Sequence, residues 1–515
     1  MKINLYKKFY NQLKGLKKIR KNKKYFKVIN VVNTMFNENI DLDIKKPLFF
    51  PKKYINLIHH LVHQNLMHLA PNIILDFFEF YGNDKKLKSY IPIEYAKFLK
   101  DKYDISSSKF FNKLNLLKLS FIYLLKSIKL ILNLILNRNK IKHDVIFFNT
   151  PEECYNHNDI NSYNLINWYK NNISSSKNEK ILIQNNLVKK DIDYTEISIH
   201  KFVNFGGLDI YSKCKFLSSI LLPLISSFFS IIFLKWWNLI LFYEIIYLNY
   251  IKCIPKKVLP KKFIFNNSLW YYKPLFVSYL ENLDSNSVYL LFYSANMENF
   301  QYRNFKKEEH YGINQINYVN ILVWDKYQKK YLENYNKKSN IQICNNIDFI
   351  EKKSDLEIIN PNNLKIISIF DIHPSENILI NMSNGYDIPP YYSNKVCLKF
   401  LEDIGIANKN RFLLIYKSKR IDLKKTNSNQ FNIDKQKIID EYYHEVHPEI
   451  SPRRIIDKSD ATISSPFTST ALLSKYQGKP TVFYDSLDLL KNSQFHEIDV
   501  LKKIEDLKKW INKLN

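Results

Sequence analysis

Glycine is scarce, at eight in 515 residues. None of the eight falls into G-x-G-x-x-G or G-x-x-x-x-G-K-[ST], which argues against both a dinucleotide fingerprint and a P-loop. A phosphate group bound by this chain has to be met by cations and hydroxyls instead. Cysteine is scarce too. Cys154, Cys214, Cys253, Cys344 and Cys397 are odd in number, far apart and without a C-x-x-C pair, so neither a disulfide framework nor a zinc site is indicated and a reduced cytoplasmic setting fits. The stretch from Met1 to Phe26 is basic but lacks the apolar core and small-residue cleavage site of a secretory signal. No D-x-D stands at the end of an expected strand, so no metal and no other cofactor is expected.

What is abundant is positive charge. Lys and Arg number 77 against 49 Asp and Glu, a formal net charge of +28. Such a surface attracts anionic lipid, nucleic acid or phosphorylated substrates. Nucleic acid ranks last of these, because no zinc-finger, RNP or helix-turn-helix signature is present and the basic residues are spread along the chain. With 46% hydrophobic and 15% aromatic residues, the chain is a folded protein long enough for two or three domains.

Residues 1–140 read as mostly helical. His59, His60, His63 and His68 include a pair four residues apart, but no carboxylate or Cys joins them and no metal site is expected. Leu114 to Leu136 is an apolar helix carrying Lys118, Lys126 and Lys129, a composition suited to a membrane interface. Strand-like runs alternating with helices then predict a βα domain over 141–338. An apolar insertion interrupts it at 216–251; its uncharged run is barely long enough to span a bilayer and contains Pro223, so a monotopic, lipid-touching or buried helix pair is expected. A second parallel α/β domain is expected over 339–515, with a terminal helix from Val500 to Leu514.

The stretch from Ser459 to Asp485 reads as one β-α-β unit: a strand at Ala461 to Ile463, a loop, a helix at Ala471 to Gln477 and a strand at Thr481 to Tyr484. The loop carries five hydroxyls, Ser464, Ser465, Thr468, Ser469 and Thr470, more than one helix cap can use, and it opens a helix whose N–H groups and dipole favour an anion. A phosphate or diphosphate is the natural tenant. Lys417, Lys419 and Arg420 follow another expected strand, Phe412 to Tyr416, and supply cations. Asp371 and His373, after the strand Ile366 to Phe370, are the leading candidates for a general base, with Glu298 of the preceding domain as an alternative.

The segments IISIFDIHP, FLEDIG, LLIYKSKR and SDATISSPFTSTALLSKYQGKPTVFYD, with FNNSLWYYKPL and NILVWDKYQ upstream, resemble bacterial glycosyltransferases of surface-polysaccharide biosynthesis, capsule and lipopolysaccharide enzymes included. The resemblance covers roughly 263–485 and implies a GT-B-like α/β architecture of two facing Rossmann-like domains behind a mostly helical N-terminal extension. It further implies metal-independent transfer from a nucleotide-sugar donor, bound by the C-terminal domain at Ser464 to Thr470 and Lys417 to Arg420. The acceptor, a glycan or lipid-linked glycan, would be held by the N-terminal domain. The enzyme would lie peripherally on the inner face of the cytoplasmic membrane. Ser464-Ser465 is also similar to bacterial sialyltransferase-like enzymes, which use CMP-sugars. Those enzymes carry His-Pro after a strand, where this chain reads Lys417-Ser418-Lys419-Arg420; His373-Pro374 and His447-Pro448 stand elsewhere. Two further readings stay open: a teichoic-acid-type polyol-phosphate transferase, and a non-catalytic polysaccharide-assembly protein.

Overall fold

A computed structural model describes residues 109–136, 143–148, 164–174, 178–185, 190–201, 207–232, 237–266, 273–292, 316–347, 362–372, 393–418, 429–448 and 450–514, with isolated positions between them. The histidines at 59, 60, 63 and 68 lie outside these residues.

The first sheet has the order β3-β4-β2-β1-β5-β6-β7-β8. Its strands are β1 (Val145–Phe148), β2 (Ile181–Gln184), β3 (Ile192–Asp193), β4 (Ile197–His200), β5 (Lys262–Asn266), β6 (Val288–Leu291), β7 (Asn320–Val323) and β8 (Asn340–Ile343). All neighbours pair in parallel except β3 with β4. The chain winds outward from β1 in one direction to β4 and then in the other to β8, the doubly wound pattern. Apolar runs such as Val145-Ile146-Phe147-Phe148 serve both faces. Ile146 and Phe148 enter one core and Val145 and Phe147 the other, as the two-residue period of a strand requires.

One face is covered by α1 (Lys109–Leu136), α3 (Ile210–Ile232), α4 (Trp237–Cys253) and α5 (Leu275–Leu283), the other by α2 (Asn164–Asn172). The expected apolar insertion is the hairpin of α3 and α4 between β4 and β5. Pro223 inside α3 has no N–H, which leaves the carbonyl of Ser219 without its helical donor; Asn249 Nδ2 of α4 fills that place at 3.1 Å. Glu244 of α4 accepts from Leu275 N at 2.9 Å and caps α5, whose own N-cap, Pro274, cannot.

The second sheet has the order β11-β10-β9-β12-β13-β15-β14. It comprises β9 (Ile366–Phe370), β10 (Leu413–Lys417), β11 (His444–Val446), β12 (Ala461–Ser464), β13 (Thr481–Tyr484), β14 (Gln494–Phe495) and β15 (Ile498–Leu501), parallel throughout except for the β14–β15 hairpin. With α7 (Asn394–Asn408), α8 (Asn429–Tyr442) and α11 (Ile504–Asn512) on one face and α9 (Pro452–Lys458) and α10 (Ser469–Tyr476) on the other, this is a second doubly wound domain. The two Rossmann-like domains expected from the sequence are therefore present.

Two boundaries differ from the expectation. Residues 340–343 are β8 of the first sheet, and Cys344 and Ile347 lie in that domain's core, so the first domain runs past 338. Residues 498–501 are strand, not helix: Ile498 and Val500 are buried and Asp499 is exposed, a period of two.

The domains are joined by α6 (Lys326–Glu333) and the β14–β15 turn. Trp324, at the end of β7, is buried in the apolar cluster of the second domain while its Nε1 donates to Phe292 O of the first at 2.9 Å. Glu497 at the turn accepts from Tyr327, from Lys475 at 2.9 Å and from Lys326 at 3.0 Å, and these donors bring its carboxyl down to about 2.

Candidate functional site

In the second domain the chain reverses its winding direction between β9 and β12. That is the topological switch point, and the crevice for a ligand lies beyond the carboxyl ends of these strands. Lys417, Phe370 and Ser464 stand abreast there, as the last residues of β10, β9 and β12. Ser465 follows and donates its N–H to Phe370 O at 2.9 Å, which locks the loop onto the end of β9.

The loop's shape comes from Pro466 and Phe467. Pro466 presets its own φ, and Phe467 takes φ 64°, a left-handed conformation that costs a non-glycine residue about 1–2 kcal/mol. Its ring holds it there, at 4.5 Å from Phe495 and 5.8 Å from Phe483 in ring-centroid distance. Burying a Phe side chain contributes about 1.5–3 kcal/mol, which offsets the strain. The turn aims the start of α10 at the crevice. Thr468 is the N-cap, but its hydroxyl makes no capping bond; it lies 3.1 Å from Thr470 Oγ1, which is 3.3 Å from Ser464 Oγ. Three hydroxyls thus form a chain at a helix start whose N-cap side chain leaves the first-turn N–H groups to others.

Lys417 is buried, with Nζ 3.4 Å from Ser418 O, so it is not a solvated basic turn. Ser464 and Ser465 are buried and Thr468, Ser469 and Thr470 half-buried. Lys419, Arg420, His373 and Glu298 lie outside the described residues.

Asp371 follows β9 as expected, yet its carboxylate is directed into the layer of α7 and α8 rather than into the crevice. Oδ2 accepts from Tyr416 Oη at 2.6 Å and pairs with Lys435 Nζ at 3.1 Å, and Cys397 Sγ is 3.6 Å away. Oδ1 is buried with no hydrogen-bond partner among the described residues. Burial works against a charged Lys435, but Asp371 outweighs it and raises the ammonium's pKa above its ordinary value. Burial, with the Asp371 charge added, pushes the Cys397 thiol and the Tyr416 phenol up as well. Lys435 was not expected from the sequence. The signal was its place on the buried stripe of α8, four residues from both Phe431 and Ile439. Among the described residues no cluster of three His, Cys, Asp or Glu could hold a metal ion.

Two doubly wound domains, one with a hydroxyl-rich turn at its switch point, define a two-domain α/β protein of the Rossmann-like class. Within that class the chain belongs to the family described as polysaccharide biosynthesis PFTS motif protein, whose profile matches residues 226–511. The letters P-F-T-S stand in this chain at Pro466-Phe467-Thr468-Ser469, the turn just described.

No curated protein matches the sequence. Among solved structures the chain is similar to an α,α-trehalose-phosphate synthase (UDP-forming) from Burkholderia vietnamiensis, at 6% identity and TM-score 0.36, covering 73% of this chain and 92% of that one. It is also similar to a UDP-glucosyltransferase from Polygonum tinctorium, at 8% identity and TM-score 0.35, over 73% and 93%. A trehalose-6-phosphate protein of E. coli bound with UDP-2-fluoro glucose gives 8% and 0.37, over 72% and 90%.

Proposed function

We propose that this chain is a glycosyltransferase of polysaccharide biosynthesis, moving a sugar from a nucleotide-sugar donor to a glycan or lipid-linked glycan. The single observation that carries the reading is the turn Ser464 to Thr470 at the switch point, with buried Lys417 abreast of Ser464. A diphosphate there meets first-turn N–H groups of α10, the hydroxyls of Thr468 and Thr470, and the Lys417 ammonium. These are the donors that stabilise the charge growing on a departing nucleotide, so the bond from sugar to phosphate breaks with the phosphate already held. Lys419 and Arg420 follow Lys417 in sequence and are proposed to add to that charge. Membership of a polysaccharide-biosynthesis family supports a saccharide product.

Asp371 is proposed to act from beneath the site. Held by Lys435 and Tyr416, it fixes the ends of β9 and β10 rather than meeting the acceptor itself. The general base is then sought at His373 or Glu298.

The test is nucleotide release from a panel of UDP-, GDP-, CMP- and CDP-linked donors, with and without lipid-linked saccharide acceptors. Acceptor-dependent release from one nucleotide-sugar is expected. Release from a CDP-polyol alone would favour polyol-phosphate transfer, and release from no donor by folded protein would remove the transferase reading.

A further inference from the structure

The outer helices of the first domain show a surface that the donor site does not explain. Helix α1 carries Leu117, Phe121, Leu125, Ile128, Leu132 and Leu136 exposed at spacings of three and four, one stripe along its length. Its opposite side, with Ser127, Leu130, Ile131 and Leu134, is the buried one. Helix α3 repeats the arrangement, with Leu217, Leu221, Ile225 and Phe228 outward and Phe216 and Ile220 in the core. Both helices pack on α4 and touch each other, so the two stripes belong to one layer. Phe121 is 59% exposed and Leu221 55%, values unusual for side chains of this size in a helix that also has a buried face.

We infer that α1 and α3 form a membrane-docking face that lies in the plane of an anionic lipid surface. Four observations select lipid as the occupant. First, neither helix contains an Asp or Glu, while Lys118, Lys126, Lys129 and Lys215 are exposed on them, so the face is apolar and positive at once. That pairing suits acyl chains bordered by lipid phosphates. Secondly, three of the hydroxyls on α3 are already spent inside the helix: Ser218 on Cys214 O at 3.0 Å, Ser219 on Phe216 O at 2.7 Å and Ser227 on Pro223 O at 2.7 Å. They make no demand for water when the face enters an apolar layer.

Thirdly, the residues 210–229 are long and apolar enough to cross a bilayer, at mean hydropathy 1.2, yet only 28% of that window is buried within the protein. The packing favours an in-plane orientation over a spanning one. α3 is tied to α4 through the bond from Asn249 to Ser219 O, α4 is tied through Glu244 to α5, and both ends of the hairpin return to one sheet. The helix therefore lies along the surface, as amphipathic in-plane helices do. Fourthly, the net charge of +28 draws the whole chain towards anionic lipid before the helices engage. The inference is independent of the reaction proposed above.

The experiment is flotation of the full-length chain with vesicles of phosphatidylcholine, with or without phosphatidylglycerol. Two variants are compared: Leu125→Glu/Leu221→Glu/Phe228→Glu, and Lys118→Gln/Lys126→Gln/Lys129→Gln. The native chain is expected to float with the anionic vesicles and much less with neutral ones. The lysine variant should lose about a hundredfold in apparent affinity, and the glutamate variant should stop floating, with melting temperature unchanged in both. Should the glutamate variant not fold, the lysine variant decides alone, since its three positions are on the surface. The inference is overturned if the folded native chain does not float, or if it floats equally well in the lysine variant. It is equally overturned if the glutamate variant merely converts a dimer to a monomer while the native chain ignores vesicles.

Discussion

His496 hydrogen-bonds Asp325 across the two domains, and each residue sits where its backbone is already committed. Asp325 is the N-cap of α6 and accepts from Tyr327 N and Gln328 N, while His496 and Glu497 take φ of 48° and 59° in the two-residue turn between β14 and β15. Positive φ at both central residues is the type I′ pattern that Asn-Gly usually fills. Here the same positions carry side chains that reach the other domain, so the turn's strain is held by the interface it builds.

Asp325→Ala is therefore expected to cost about 2 kcal/mol or more, combining a lost cap with a lost partner for His496 and Tyr476. Burial pushes the Asp325 carboxyl up, but the His496 bond and charge, with the Gln328 N–H, bring it below the ordinary value. A depressed folded pKa gives stability that is complete above the unfolded value of about 3.9 and is lost as pH falls through the folded one. Acid melting curves should show this loss in the native protein and not in Asp325→Ala. Equal acid slopes would contradict it.

Lys435→Met should destabilise the second domain by about 3–5 kcal/mol, because it leaves the Asp371 charge buried without its cation. The folded pKa of Lys435 is raised, so its contribution is present below the unfolded value of about 10.4 and disappears as pH rises through the folded one. Urea melts of both proteins at neutral and strongly alkaline pH check the sign: the gap between them should narrow as pH rises.

Phe467 separates backbone from side chain at the PFTS turn. Phe467→Ala loses the ring contacts with Phe483 and Phe495 and keeps a left-handed non-glycine residue, at about 3–5 kcal/mol. Phe467→Gly loses the same contacts but relieves the φ of 64°, so it should be more stable than the Ala variant by about 1 kcal/mol. Thermal unfolding of the pair gives the answer, and an Ala variant as stable as the Gly one would refute the strain.

Much of this architecture was legible because parallel strands buried on both faces announce themselves. Runs such as Ile366 to Phe370 and Thr481 to Tyr484 needed only local pattern. Short edge strands did not: β11 and β14 have three and two residues, too few for a period to show. The hydroxyl turn was legible since it crowds five Ser and Thr into seven positions. Asp371 was placed at the right strand end, but its partners were not, because Lys435 is 64 residues away and only the fold brings it to 3.1 Å. The interdomain pair of Asp325 and His496 is separated by 171 residues and was invisible for the same reason.

Calorimetric titration of the full chain with UDP, GDP, CMP and CDP tests the central claim most directly, repeated with Lys417→Ala and Thr468→Val. One nucleotide should bind, and each variant, still folded by its melting curve, should weaken it by about 10–100-fold, the worth of one hydrogen bond to a charged phosphate. A nucleotide that binds both variants as tightly as the native chain would contradict a donor site at the Ser464 to Thr470 turn.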